Sequence, residues 1–150
     1  MAGRKTGARR GFTLVETLLV IVVVGILLAI AVPRFAEARM RMQLDTAAYQ
    51  LAGDLRRAQV EAIKRNRTIE LATTGASTYN IQSVPTLLVP LVTVFHTRSF
   101  EPNVTFVGGP TLVQMASFGP PIGGGATFTI DLAGQQKTVT VSAAGLVTVQ

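Results

Sequence analysis

Arg10-Gly-Phe-Thr-Leu-Val-Glu16 opens an apolar run, FTLVETLLVIVVVGILLAIAV from Phe12 to Val32, that stops just before Pro33. The 21 residues of this run carry a single charge, Glu16. At 1.5 Å per residue a helix of that length spans roughly 30 Å, about the hydrocarbon thickness of a bilayer. The run is therefore expected to cross a membrane. A carboxylate inside it costs about 2.5–3.5 kcal/mol on insertion scales, so it marks a function and needs a partner. No Lys, Arg or His lies between Phe12 and Val32, and the cation must come from elsewhere. One source is a new α-amino group, created if the chain is cut just before Phe12. That amine, four residues upstream on the same helix or at the tip of a neighbour's helix, would neutralise Glu16 in the apolar layer.

Two plainer readings of the same run are open. A secretory signal peptide is suggested by the basic start and by Ala29-Ile30-Ala31, which has the form of an A-x-A cleavage site. Helical patterning continues past Ala31, however, so a cut there would divide a helix at its middle. An ordinary single-pass anchor fits the length but gives Glu16 no role.

The residues before the run are basic: Arg4, Lys5, Arg9 and Arg10 supply four of the 14 Lys and Arg in the 150-residue chain. Without residues 1–11 the count is ten against eight Asp and Glu (14 − 4 = 10), so the formal charge falls from +6 to about +2. That is too little for an electrostatic footprint on nucleic acid. The positive flank instead predicts topology, with residues 1–11 held in the cytoplasm. The chain has no cysteine, which excludes disulfides and thiolate metal sites.

After Pro33 the sequence stays helix-like to about Asn66, with one glycine, Gly53. Met40, Leu44, Ala48, Leu51, Leu55, Ala58 and Ala62 recur at spacings of three and four and form one stripe. The charges elsewhere on the wheel read as a solvated mixed-charge face. Proline at 33 removes a backbone hydrogen bond and crowds the preceding turn, so a bend or local melting is expected there. Past Arg67 the texture becomes short β-branched and aromatic runs between Gly, Pro, Ser and Asn. Thr68–Ala72 and Tyr79–Ser83 are expected to form a hairpin. Leu87–Phe95, interrupted by Pro90, suggests an edge strand or bulge. Val104–Val107 and Gln114–Phe118 are shorter candidates. Thr127–Asp131, Lys137–Ser142 and Leu146–Val149 should close the chain as a meander.

The Arg10–Glu16 string, with the apolar run and Pro33, resembles the prepilin signature of type IV pilins and type II secretion pseudopilins. The resemblance narrows toward the GspH/FimT group. Leu55-Arg56-Arg57-Ala58-Gln59-Val60-Glu61-Ala62-Ile63-Lys64-Arg65-Asn66 is similar to that group's helix stretch, with Gln59-Val60 in place of arginine-serine, and Val139–Val149 is similar to its terminal hairpin. The resemblance implies an α+β, pilin-like fold: a long N-terminal helix, transmembrane in one half and amphipathic in the other, packed on a small antiparallel β-sheet domain. Its segments are a leader (1–11), an assembly helix (12–33), an amphipathic helix (34–67) and a β domain (68–150). It also implies cleavage by a prepilin peptidase between Gly11 and Phe12, N-methylation of Phe12, an assembly role for Glu16 and a helix kink at Pro33. The partners implied are other pseudopilins or pilins in a filament and the inner membrane, with the C-terminal domain in the periplasm. DNA-binding members of the FimT type are expected to carry arginines after the glycine equivalent to Gly145. Here Leu146, Val147 and Thr148 follow, so nucleic acid is not expected.

No enzyme constellation emerges. His96 is the only histidine and is expected near a strand end, and the glycines at 108–109 and 123–125 lack the lysine and Ser/Thr of a phosphate loop. No catalytic residue, cofactor or metal is expected. The leading reading is a minor pilin or pseudopilin subunit supporting secretion. The others are a pilus-associated binding module for DNA uptake or adhesion, and a plain membrane-anchored β protein.

Overall fold

The chain's largest element is a helix that begins at Leu14 and is stopped by an asparagine. A computed structural model describes residues 12–86 and 90–150, with helix α1 at Leu14–Arg65. At its end Asn66 takes a left-handed conformation (φ 48°), its amide donates to the Ile63 carbonyl, and the Arg67 amide donates to Ala62. This pair of bonds is a Schellman cap, which satisfies carbonyls that the last turn would otherwise leave bare. The chain divides into two units, Met1–Ala38 and Arg39–Gln150. In the first, every described residue is exposed. Pro33 lies inside α1, and the helix runs through it without interruption.

In the second unit the α1 residues Leu44, Ala47, Ala48, Leu51, Ala52, Leu55, Ala58 and Ala62 are buried. Eight strands follow: β1 (Ile69–Thr73), β2 (Thr78–Ser83), β3 (Val94–Ser99), β4 (Thr105–Gly108), β5 (Leu112–Met115), β6 (Ala126–Leu132), β7 (Gln135–Val141) and β8 (Val147–Val149). They form two four-stranded antiparallel sheets, ordered β3-β2-β1-β5 and β4-β6-β7-β8. Alternate residues of both point inward: Ile69, Leu71, Tyr79, Ile81, Val113 and Met115 from one, Phe128, Ile130, Leu132, Val139 and Val141 from the other. Each large side chain so buried stabilises the fold by about 1.5–3 kcal/mol relative to exposure. Aromatic rings tie the sheets together, with centroids 5.4 Å apart for Tyr79–Phe100, 4.9 Å for Phe100–Phe106 and 6.0 Å for Phe106–Phe128.

Several strands differ from the sequence reading. The antiparallel domain is divided between two sheets, because β4 leaves the first sheet to pair with β6 while β5 returns to pair with β1. Only the end of the Leu87–Phe95 run is strand, from Val94; Pro90 lies outside it, and residues 87–89 are outside the described residues. The expected strand Gln114–Phe118 is displaced to Leu112–Met115, because the Gly119 amide bonds back to the Ala116 carbonyl and folds 116–119 into a tight turn. His96 sits within β3 opposite Ile81 and is exposed, not at a strand end.

Asp54, Tyr79 and Glu70 enter this core paired, whereas the buried Asn80 Oδ1 has no hydrogen-bond partner among the described residues. The Tyr79 hydroxyl donates to Asp54 Oδ2 at 2.8 Å, and Arg98 Nε lies 3.4 Å from the same oxygen. Gln50 donates to the Tyr79 hydroxyl at 3.3 Å. On β1 the Glu70 carboxylate accepts from Gln82 (2.6 Å) and Gln114 (3.2 Å), one from each neighbouring strand. Burial, reinforced by the Asp54 hydrogen bond and charge, pushes the Tyr79 phenol well above its ordinary value of 10.0.

Removing the hydroxyl leaves Asp54 short of a donor, so Tyr79→Phe is expected to lower stability by about 1–3 kcal/mol in urea unfolding. The raised phenol pKa means the folded chain keeps a proton that the unfolded chain releases above about pH 10. Stability should therefore hold below that pH and fall as pH rises past it. Lys137, raised by its hydrogen bond to Asp45, adds a smaller, solvent-screened contribution of the same sign, so Tyr79→Phe should reduce the alkaline slope. Gly53 faces open space within α1, and Gly53→Ala should raise the urea midpoint by the equivalent of about 1 kcal/mol.

Candidate functional site

The first turn of α1 is organised by Thr13. Its Oγ1 accepts the backbone amide of Glu16 at 3.2 Å, and its carbonyl accepts both the amide and the hydroxyl of Thr17, at 3.2 and 3.3 Å. Thr13 is thus the N-cap, and Thr13-Leu-Val-Glu16 has the spacing of a capping box. Glu16 falls at the third helical position, where the exposed amides of the N-terminus favour a negative charge. Among the described residues it makes no ion pair. Phe12, just before the cap, is 78% exposed, while Gly11 lies outside the described residues. From Phe12 to Val32 no side chain is covered on any face of the helix, so a large apolar cylinder carries one carboxylate near its tip.

Sequence reading named Phe12 and Glu16 but missed Thr13. The signal was present as Thr-x-x-Glu ahead of an apolar run. It also missed a pair of latches in the second unit. Gln59 Nε2 donates to the Gly145 carbonyl at 2.7 Å, and Arg56 donates to the Val147 carbonyl at 3.0 Å, fixing the β7–β8 turn and the start of β8 to α1. Gly145 has φ +87° and an added Cβ would approach Gln59 Nε2 at 3.2 Å, so glycine suits both the backbone and the space. No local pattern announces a contact between residues 86 apart.

The end of α1 carries charges of both signs on its exposed face. Glu61 is taken by Arg65 at 2.6 Å, and this hydrogen bond holds its carboxyl below the usual range. Arg65 also lies 4.3 Å from the centre of the Phe95 ring. Among the described residues no group of three or more His, Cys, Asp or Glu is placed to hold a metal ion.

Residues 7–32 match the prokaryotic N-terminal methylation motif, and residues 47–145 match the family described as type II transport protein GspH. The chain belongs to the GspH family. Over 73 residues this GspH-family chain is 45% identical to pilin-like protein PilA1 of Thermus thermophilus, covering 47% of this chain and 46% of that one. It is 30% identical over 74 residues to a fimbrial protein of Pseudomonas aeruginosa, covering 49% and 48%. The chain thus spans about half the length of the curated relatives it matches. Its fold is similar to the minor pilin FimU of P. aeruginosa (TM-score 0.62, 18% identity, 73% of this chain and 90% of that one). It is also similar to the minor pseudopilin EpsH of Vibrio cholerae (TM-score 0.58, 15% identity, 72% and 96%). The GspH family is a structural, non-enzymatic one, and the long helix with its antiparallel domain is the architecture these structures share.

Thr13→Val deletes the cap while keeping the shape. Loss of about 1 kcal/mol there should speed hydrogen exchange at the amides of Glu16 and Thr17 roughly fivefold in the full chain in micelles, and Thr13→Ser should restore protection. Unchanged exchange in Thr13→Val would remove Thr13 from the site.

Proposed function

We propose that this chain is a minor pilin or pseudopilin subunit that is processed at Gly11–Phe12 and assembles into a type II secretion pseudopilus or type IV pilus. The observation that carries the reading is the Phe12–Val32 surface, apolar and exposed all round, with Glu16 unpaired among the described residues. Water cannot be the solvent of such a surface, and lipid alone leaves the carboxylate costly.

The steps follow from these groups. With its basic leader in the cytoplasm, the precursor sits in the inner membrane as a single-pass protein with residues 39–150 on the periplasmic side. A prepilin peptidase removes residues 1–11 and methylates the new amine of Phe12. On extraction into a filament, the apolar cylinder exchanges lipid for neighbouring helices, and Glu16 pairs with a subunit's amino terminus. Pro33 leaves the Ala29 carbonyl without its intrahelical donor, which gives the helix a point at which to bend. The subunit's contribution to secretion is structural, through packing and one charge pair.

Mass spectrometry of the mature protein should find an N-terminus at Phe12, heavier by one methyl group. Any other N-terminus rejects the reading. Glu16→Ala and Glu16→Gln should both insert in the membrane and be cleaved, yet fail to enter the filament in a shearing and sedimentation assay. Normal incorporation of either variant would separate Glu16 from assembly.

A further inference from the structure

Three segments converge at the C-terminal end of α1 and leave an open groove between them. Its volume is about 240 Å³, and its walls include Gln59, Val60 and Ile63 of α1, Phe118 and Pro120 from the β5–β6 connection, and Gly145 of the β7–β8 turn. The apolar side chains at this end are unusually bare: Val60 is 61% exposed, Ile63 55%, Phe118 76%, and Leu146, next to Gly145, 66%. The walls are nonetheless fixed. Gln59 latches the β7–β8 turn, the Schellman cap holds the last turn of α1, and Gly119 brings the 116–119 turn against Ile63, where an added Cβ would lie 3.1 Å from Cδ1. A rigid apolar surface that stays in water is preorganised for a partner.

Charge narrows the partner. Arg57 is three residues before Val60 and Lys64 four after it, so both flank Val60 on the same exposed face of α1. Arg67 follows just beyond the helix. The one carboxylate in this stretch, Glu61, is drawn to Arg65. The rim is therefore cationic and the centre apolar. Phosphates would need cations at the centre, where Val60, Ile63 and Phe118 stand instead. We infer that this groove docks a protein segment presenting an apolar side chain flanked by carboxylates. The apolar anchor would fill the space between Val60, Ile63 and Phe118, and the carboxylates would meet Arg57 and Lys64 at the rim. This surface lies wholly within residues 39–150 and does not depend on how the N-terminal helix is processed.

The absence of native cysteine allows a single probe to be placed beside the groove. Full-length Ala144→Cys, labelled with an environment-sensitive dye and held in phosphatidylcholine nanodiscs, would be titrated with an amphipathic helical peptide of Leu and Glu. Parallel titrations would use the same peptide with Ala for Leu, with Lys for Glu, and a single-stranded oligonucleotide. The Leu/Glu peptide should bind saturably and best. Its Kd should rise about tenfold with Phe118→Ala, and by a similar factor with the Arg57→Glu, Lys64→Glu double change. Added salt should weaken it as well. All three altered side chains are exposed, so folding should persist. The inference is overturned if the Leu/Glu peptide does not bind, if the Ala or Lys peptide or the oligonucleotide binds as tightly, or if neither variant changes Kd.

Discussion

How closely two sheets can approach one helix governs the folded unit. Alanine occupies five of the buried α1 positions, Ala47, Ala48, Ala52, Ala58 and Ala62, while Leu44, Leu51 and Leu55 supply the bulk. These small and large residues share one buried core with Ile69, Leu71, Phe128 and Val139 of the strands. A larger residue at Ala48 or Ala58, both fully buried, would have no free volume to enter. Two four-stranded sheets, joined by the Tyr79–Phe100–Phe106–Phe128 ring contacts, share one buried core with the α1 stripe.

Much of this was legible in the sequence because it is periodic and local. The α1 stripe named from spacing is the stripe that is buried, with Met40 at its margin. The β1–β2 and β6–β7–β8 segments were also found, since each is bounded by turn residues whose geometry is locally encoded, as at Ala133-Gly134 with φ 54° and 85°. What was not legible depends on distant partners. That β5 pairs with β1 and not with β4 follows from contacts about forty residues apart, and Gln114–Phe118 looked extended because nothing in its composition announces the turn at Gly119. At the N-terminus, the apolar run and its lone carboxylate are written directly in Phe12–Val32. The cap at Thr13 needs the helix start to be known before its spacing acquires meaning.

The polar groups divide by what they hold together. Asp54 and Gln50 connect α1 to β2 and β3, Glu70 bridges the three strands β5, β1 and β2, and Arg56 and Gln59 fix the end of the second sheet. Each pairing satisfies a group that would be costly if buried alone, and each joins segments far apart in the chain. In the described part of the first unit, by contrast, the charge at Glu16 has only its own helix end and the Thr13 cap for company.

The tyrosine at the centre of the core also gives the protein an optical signature of its own. The chain contains no tryptophan and two tyrosines. Tyr49 is 65% exposed, while Tyr79 is fully buried, surrounded by phenylalanine rings and hydrogen-bonded to a carboxylate. Absorbance and near-ultraviolet dichroism of the unlabelled chain thus report chiefly on one solvated phenol and one immobilised phenol. The integrity of the helix–sheet junction can be followed by light alone, without introducing a foreign chromophore.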